Sequence, residues 1–390
     1  MSMLDKIVEY FTSASKEQFD LLEKLVLQSS YSLDKDGVDL VGLLIQQALA
    51  DCDLSVEVDH QEDIGNNLLF SSAACATGLP PILLVGHMDT VFHRESDFNY
   101  YREDDTRAYG PGVIDMKGGL VTAVFLLKAL QSQALLKEIP VIFICNSDEE
   151  IGSPRSTGLI QKYAKNCLCG LVFECGGLNG EVVTGRKGKT GYILKTYGKS
   201  GHAAFTGKNG KASAIVELAQ KIIQLEQLND PSRGIVLNVG RILGGTGANV
   251  VPALASAEID TRYITDEDGN MLRSSIETAA ARVDTNGTRS ELTLSNSRFP
   301  MEQSEGNTRL FELYRQQAAN LNITITDELR SGVSDANTLA ECRIPVLDGL
   351  GPIGDFDHSE NEYLEKESLT ERSILATHLV LKIWEDQIER

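Results

Sequence analysis

Residues 141–153 read VIFICNSDEEIGS, an apolar strand-like run that breaks off into Asp148, Glu149 and Glu150. In open α/β sheets, ligands gather beyond the carboxyl ends of the strands, so carboxylates placed there face a site and not the core. Two adjacent glutamates can divide the work. One binds a metal ion while its neighbour moves protons for a metal-bound water. An isolated Asp-Glu-Glu is more often a solvated acidic turn, so the reading depends on what the other strand ends carry.

Upstream, Pro80 and Pro81 introduce ILLVG, a run too short for a helix and rich in branched residues, which reads as a buried strand. It ends in His87-Met88-Asp89-Thr90. A histidine at a strand end is a natural metal ligand, and an aspartate two residues on can fix its tautomer and raise its basicity. Next, YGPGVIDMKGG (109–119) surrounds Asp115 with glycines before an apolar helix. A phosphate would be repelled by that aspartate, whereas a cation suits it. Downstream, GLVFE ends at Glu174, and IPVLDG runs into GPIGDFDHSENEYL, which contains His358. The alternation β-α-β-α-β predicts a helix-covered, mostly parallel sheet.

Near Gly185 the pattern changes. The order strand, helix, strand, strand, helix, strand over 185–296 is that of a ferredoxin-like unit. The sequence therefore predicts an α/β protein with a discontinuous catalytic domain, 1–184 and 297–390, and an inserted α+β domain, 185–296. Ser15 and Gln18 suggest a capping box opening a first helix. The inserted helix should bury Ala212, Ile215, Leu218, Ile222 and Leu225, and NITIT (322–326) reads as extended.

Of 390 residues, 42% are hydrophobic and 24% charged, ordinary for a globular protein. A net charge of −20 argues against nucleic acid and anionic membranes as partners. No leader or membrane span is legible, and seven cysteines without a CxxC pair suit reduced thiols, so a cytoplasmic location is expected. The triplets GKT (188–190) and GKS (198–200) fail as phosphate loops, because Val183 and Ile193 stand where the first glycine is needed.

His87, Asp115, Glu150, Glu174 and His358, with Asp89 and Glu149 beside them, suit a pair of borderline divalent ions such as zinc, with cobalt or manganese as alternatives. Asp115 is the natural bridge. GHMDTVF, YGPGVIDMKGG, NSDEEIGS, the Glu174 strand end and HSENEYL, in that order around an inserted ferredoxin-like domain, resemble the co-catalytic di-zinc exopeptidase family. That family includes glutamate carboxypeptidase, succinyl-diaminopimelate desuccinylase, acetylornithine deacetylase, aminoacylase and di- and tripeptidases, and the HSENEYL ending is most similar to the bacterial glutamate carboxypeptidase type.

The resemblance implies two zinc ions per subunit: one held by His87 and Glu174, the other by Glu150 and His358, with Asp115 between them. It also implies a cis peptide after Asp115, Asp89 as the group that orients His87, and Glu149 as the general base for a zinc-bound hydroxide. In the inserted domain, His202 in GKSGHAA resembles the residue that stabilises the oxyanion in the partner subunit's site. Asn249 in NVVPA and Arg262 in DTRY resemble the grip on a substrate carboxylate, and Gly332 in SGVSDA resembles a backbone contact. A homodimer through the lid domain is implied as well. One departure is that HAAFTGKNGKASA lacks the usual proline and has Lys211 where asparagine is common.

The expected activity is hydrolysis of the amide bond of a peptide or N-acyl amino acid with a free C-terminal carboxylate. A deacylase acting on acetylornithine or a similar compound is the alternative, and a non-catalytic metal-binding protein on the same scaffold the reading from another class.

Overall fold

The apolar runs 82–87 and 141–146 are both strands, Ile82–His87 and Val141–Asn146, and every residue in them is buried. In the computed structural model, which describes residues 2–204 and 210–388, they pair in parallel so that His87 lies opposite Asn146. Cys169–Val172 flanks Ile82–His87 in parallel and Val346–Leu347 follows it, also in parallel. On the other side, Asn67–Ser72 and then Leu54–Asp59 complete six strands in antiparallel register.

Strands covered on both faces need no polar alternation. The cover includes Met3–Leu27, Gly118–Ser132 and Lys366–Ile388, which pack on one another. Gly118–Ser132 is buried almost all round, the pattern of a helix inside a core. Its second residue has to be glycine, because a Cβ on Gly119 would stand 1.8 Å from the carbonyl oxygen of Phe173. None of the described helices is long and apolar enough to cross a membrane.

This sheet belongs to a compact unit formed by Met1–Thr184, Gln303–Leu329 and Ser334–Arg390. The second unit is Gly185–Glu302 with Arg330–Val333. Its four strands run in the order Val236–Gly244, Leu254–Tyr263, Gly188–Tyr197, Arg289–Arg298, all antiparallel. Helices Ala214–Glu226 and Asp266–Ala281 share its core with Tyr192, Leu194, Leu237 and Ile259. The unit runs past residue 296 because pairing continues to Arg298 opposite Lys189, and Met301 exchanges backbone hydrogen bonds with Arg186.

Three local expectations are corrected. The first helix begins at Met3, capped by Ser2 and Asp5; Gln18 is mid-helix, and its amide instead bonds Ser373 at 2.8 Å on the last helix. Ile215 is 41% exposed, because the buried stripe of its helix passes through Leu218 and Leu225. NITIT lies in no strand, and its last residue is paired, Thr326 O accepting from Val182 N at 2.9 Å just before the strand Asp327–Arg330.

Candidate metal centre

Three of the groups reach the site because a strand stops there, and two come from loops. His87 is the last residue of its strand and Glu174 lies two past the end of Cys169–Val172. Glu149 and Glu150 occupy the turn after Val141–Asn146, which rises again at Thr157–Ala164. Asp115 sits in a non-helical kink, φ −116° and ψ 95°, before the buried helix, and the Asp115–Met116 peptide is cis. His358 comes from the last long loop, at φ 59°.

The two oxygens of Asp115 face different imidazoles. Oδ1 is 3.0 Å from His87 Nε2, and Oδ2 is 3.2 Å from His358 Nε2. Glu174 Oε1 lies 3.8 Å from His87 Nε2, and Glu150 Oε2 3.0 Å from His358 Nε2. Two triads result, His87–Asp115–Glu174 and Asp115–Glu150–His358, and within each the donor atoms lie within 4.8 Å of one another.

These groups fit divalent ions for a reason beyond their donor types. Glu150 Oε1 is buried with no hydrogen-bond partner, an arrangement that is costly unless a cation completes it. Borderline imidazole nitrogens combined with hard carboxylate oxygens make a donor set suited to divalent transition ions.

Around the triads lies a polar frame that sequence reading partly missed. Asp89, fully buried, was expected to orient His87 through its carboxylate. His87 Nδ1 lies 3.4 Å from that carboxylate and 2.9 Å from the Asp89 backbone oxygen as well. That carboxylate accepts from the backbone N–H of both Glu149 (3.1 Å) and Glu150 (3.2 Å) and from Ser32 Oγ (2.7 Å). One buried anion therefore fixes the acidic turn. Asp335 accepts from Asn146 Nδ2 (2.7 Å) and Ser153 Oγ (2.6 Å), and Asp148 accepts from Ser156 Oγ (2.5 Å) and Arg155 N (2.6 Å). Glu362 accepts three backbone N–H groups of the Asp115 loop. Asp335 and Glu362 lie within the quoted stretches SGVSDA and HSENEYL but were given no role there, and Ser32 carried no signal.

Electrostatics follow from this crowding. Burial pushes the Glu149 carboxyl well above its usual range; His87 opposes this, and Asp335, Glu174 and Glu150 reinforce it. Glu150 is also raised by burial. Asp115 is held below its usual range despite burial, because both histidines bond to it. His358 is pushed up to about 11 by its hydrogen bonds to Asp115 and Glu150. A raised carboxyl beside a candidate metal centre makes Glu149 a candidate proton carrier.

His202, Asn249, Arg262 and Gly332 all belong to the second unit. The structure brings the first two together. His202 is opposite Val250 in a two-stranded ribbon, and Ala203 N bonds the Asn249 oxygen at 2.9 Å. His202 and Asn249 are exposed. Arg262 Nε contacts Asp260 Oδ2 at 2.9 Å, and the Gly332 carbonyl accepts from the Arg186 guanidinium at 3.1 Å. The departure after His202 includes residues 205–209, outside the described residues.

Over 385 residues the chain is 26% identical to carboxypeptidase G2 of Pseudomonas sp. (strain RS-16), covering 96% of this chain and 91% of that protein. It is 28% identical over 342 residues to succinyl-diaminopimelate desuccinylase of Ectopseudomonas mendocina (82% and 86% covered). Among solved structures, aminopeptidase PepT from Bacillus cereus superposes with a TM-score of 0.78 at 20% identity, covering 95% of this chain and 98% of that one. An M20 family metallo-carboxypeptidase from Sulfolobus solfataricus superposes at 0.71 with 17% identity, covering 94% and 99%. The family model for peptidase family M20/M25/M40 matches residues 83–382, which takes in all five residues of the two triads, and with it the chain belongs to that family, as a metallohydrolase acting on peptides or acylated amino acids.

Proposed function

We propose that the chain is a di-zinc, carboxypeptidase-like amidohydrolase that releases a C-terminal amino acid from a peptide or N-acyl amino acid, with glutamate the favoured residue. The observation that carries this reading is Asp115, whose two oxygens each face a different imidazole at 3.0 and 3.2 Å, the posture of a carboxylate shared by two ions. When bound, the ions would supply Lewis acidity and lower the pKa of a water molecule. His87 and Glu174 would hold one, Glu150 and His358 the other.

The remaining steps belong to the chain. Glu149, raised in proton affinity, takes a proton from the attacking water and returns it to the nitrogen of the leaving amine. Asp89 keeps the Glu149 backbone fixed while the proton moves. His202, reaching into the partner subunit's site, donates to the developing oxyanion. Asn249, Arg262 and the backbone of Gly332 grip the substrate carboxylate. Arg262 shares one sheet rung with Lys189 and Arg298, three cations against the one carboxylate of Asp260 that pairs with Arg262 (2.9 Å) and Lys189 (3.7 Å), a local positive excess that favours an anionic substrate.

A homodimer through the second unit is part of this reading. The edge strand Val236–Gly244 exposes Ile242 (56%) and Leu243 (54%), and the adjoining helix exposes Ile223 (64%), an apolar edge of the sort that pairs with a second copy. Seven free cysteines fit a cytoplasmic setting.

The test is amino acid release from matched dipeptides and N-acetyl amino acids, with zinc and with chelator. Chelator-sensitive release of a C-terminal residue, fastest for glutamate, is expected. Turnover confined to acetylornithine-like or succinylated amines would replace this reading with the deacylase one.

A further inference from the structure

We propose that Glu362 is the positioning residue that sets the bridging carboxylate of Asp115, and through it the ion site completed by His358; the inference rests on the two-ion reading above. Glu362 is fully buried. Its Oε1 accepts from Ile114 N at 2.8 Å and Asp115 N at 3.1 Å, and its Oε2 from Gly112 N at 3.0 Å.

These three N–H groups belong to a loop that cannot satisfy them itself. Gly112 is left-handed at φ 71°, and Asp115 and Met116 are non-helical, so the amides converge on one point with no regular partner. Converging backbone amides form a cradle for oxygen acceptors, and here the carboxyl side chain of a residue 247 positions away fills it. Glu362 thus fixes three amides that the loop's own bonds, Val113 N to Gly110 O and Lys117 N to Gly112 O, leave over.

Strand pairing delivers the carboxylate. Tyr363 is opposite Tyr109 and Leu364 opposite Ala108. Leu364 closes over Gly118, where a Cβ would meet its Cδ1 at 2.7 Å. His358 lies four residues before Glu362 on the same segment. One stretch of chain therefore supplies the ligand of one ion and anchors the ligand shared by both.

The consequence is selective. His87 and Glu174 are anchored by their own strands and share only Asp115 with the second site. In the second triad Glu150 is fixed by Asp89, but His358 is half-exposed (52%) and sits on the segment that Glu362 ties to the loop. Loss of the Glu362 cradle should weaken the second ion far more than the first.

The experiment strips wild type, Glu362→Gln and Glu362→Asp with chelator and titrates each with zinc alone. Bound metal is counted by mass spectrometry and affinities are read by calorimetry, alongside kcat, KM and circular dichroism. Glutamine keeps the size but turns an NH₂ group toward the loop amides. Expected for it are a second ion at least tenfold weaker, a first ion within about twofold, an unchanged KM, and a kcat lowered at two equivalents and restored by excess zinc. The aspartate variant should fall between.

Two ions at wild-type affinity in the glutamine variant would overturn the proposal and leave the two-ion reading standing. Parallel weakening of both ions would reduce Glu362 to a general fold contact and overturn it too. Fewer than two ions in wild type would overturn both. Should the variants fail to fold, hydrogen exchange of the wild-type amides at 112, 114 and 115 decides. Exchange as slow as that of strand Ile82–His87 is expected, and exchange at exposed-loop rates would overturn the proposal.

Discussion

In the second unit, Lys221 and Glu217 are fully buried 3.0 Å apart, and the ammonium also donates to the carbonyls of Ala279 (2.7 Å) and Arg282 (2.5 Å). Glu217 accepts the backbone N–H groups of Asp284 and Thr285. Charge and hydrogen bonds close on themselves, tying helix Ala214–Glu226 to the end of Asp266–Ala281. In the first unit, Asp89, Asp115, Glu149, Glu150, Glu174 and Asp335 gather around two imidazoles, and one oxygen of Glu150 is left without a partner. A balanced buried pair is complete as structure. An unbalanced set facing one point needs a cation from outside, and its shifted proton affinities mark a working site.

The sharpest way to break that contrast is to remove the proton carrier alone. Glu149→Ala should lower kcat/KM by about 10²–10⁴-fold, the usual scale for a positioned acid–base group, while zinc content stays as in wild type. Chelation should abolish turnover, and zinc should restore it. A Glu149 variant with near-normal kcat would mean that the crowded carboxylates only hold ions.

His202→Ala comes next, at about 10²–10³-fold, the scale for loss of one oxyanion donor. Because the exposed His202 is assigned to the partner subunit's site, mixing inactive Glu149→Ala chains with inactive His202→Ala chains should regain activity. In a mixed dimer, one site has an intact base and an intact donor. If no activity returns after subunit exchange is verified by mass, the second unit's exposed groups do not complete a neighbouring site.

What was legible follows the same division. His87, Glu150 and Glu174 stood out because apolar runs such as ILLVG and VIFICN end in or just before them, where α/β sheets gather ligands, while Asp115 stood out through its flanking glycines and His358 through the HSENEYL stretch. The strand and helix order of the second unit was visible through its alternation. The frame was not. Glu362 reaches the Asp115 loop across 247 residues of chain, and Asp335 reaches Asn146 across 189. Spacing carries no information about contacts of that kind. Gln18 was misread for a related reason: Ser15 and Gln18 satisfy a local capping pattern, but a tertiary bond to Ser373 claims the amide.

The self-contained pair should matter to stability and not to turnover. Lys221→Met leaves Glu217 buried without its cation, and breaking such a pair costs about 3 kcal/mol. Urea unfolding should show that loss, while zinc content and kcat per folded chain stay within about twofold of wild type. A variant of normal stability with impaired turnover would place this pair, too, in the working machinery.

The smallest effect concerns two imidazoles of equal burial. His87 and His378 are each 1% exposed, yet they shift in opposite directions. Burial would lower both. For His87 the hydrogen bonds to Asp115 and Asp89 prevail and raise it, whereas His378, on the last helix where it packs against the first, has no carboxylate among the groups that shift it and is lowered. The sign follows from proton counting. The unfolded chain protonates this histidine near its usual value of about 6.5, while the folded chain resists protonation, so below that pH the unfolded state binds the extra proton. Stability attributable to His378 is therefore complete above about pH 6.5 and declines as the pH falls from there toward the lowered folded value. Thermal midpoints of the ion-free protein between pH 8 and 5 should fall less steeply in His378→Leu than in wild type. Equal slopes would mean that burial without a partner does not separate this histidine from those of the site.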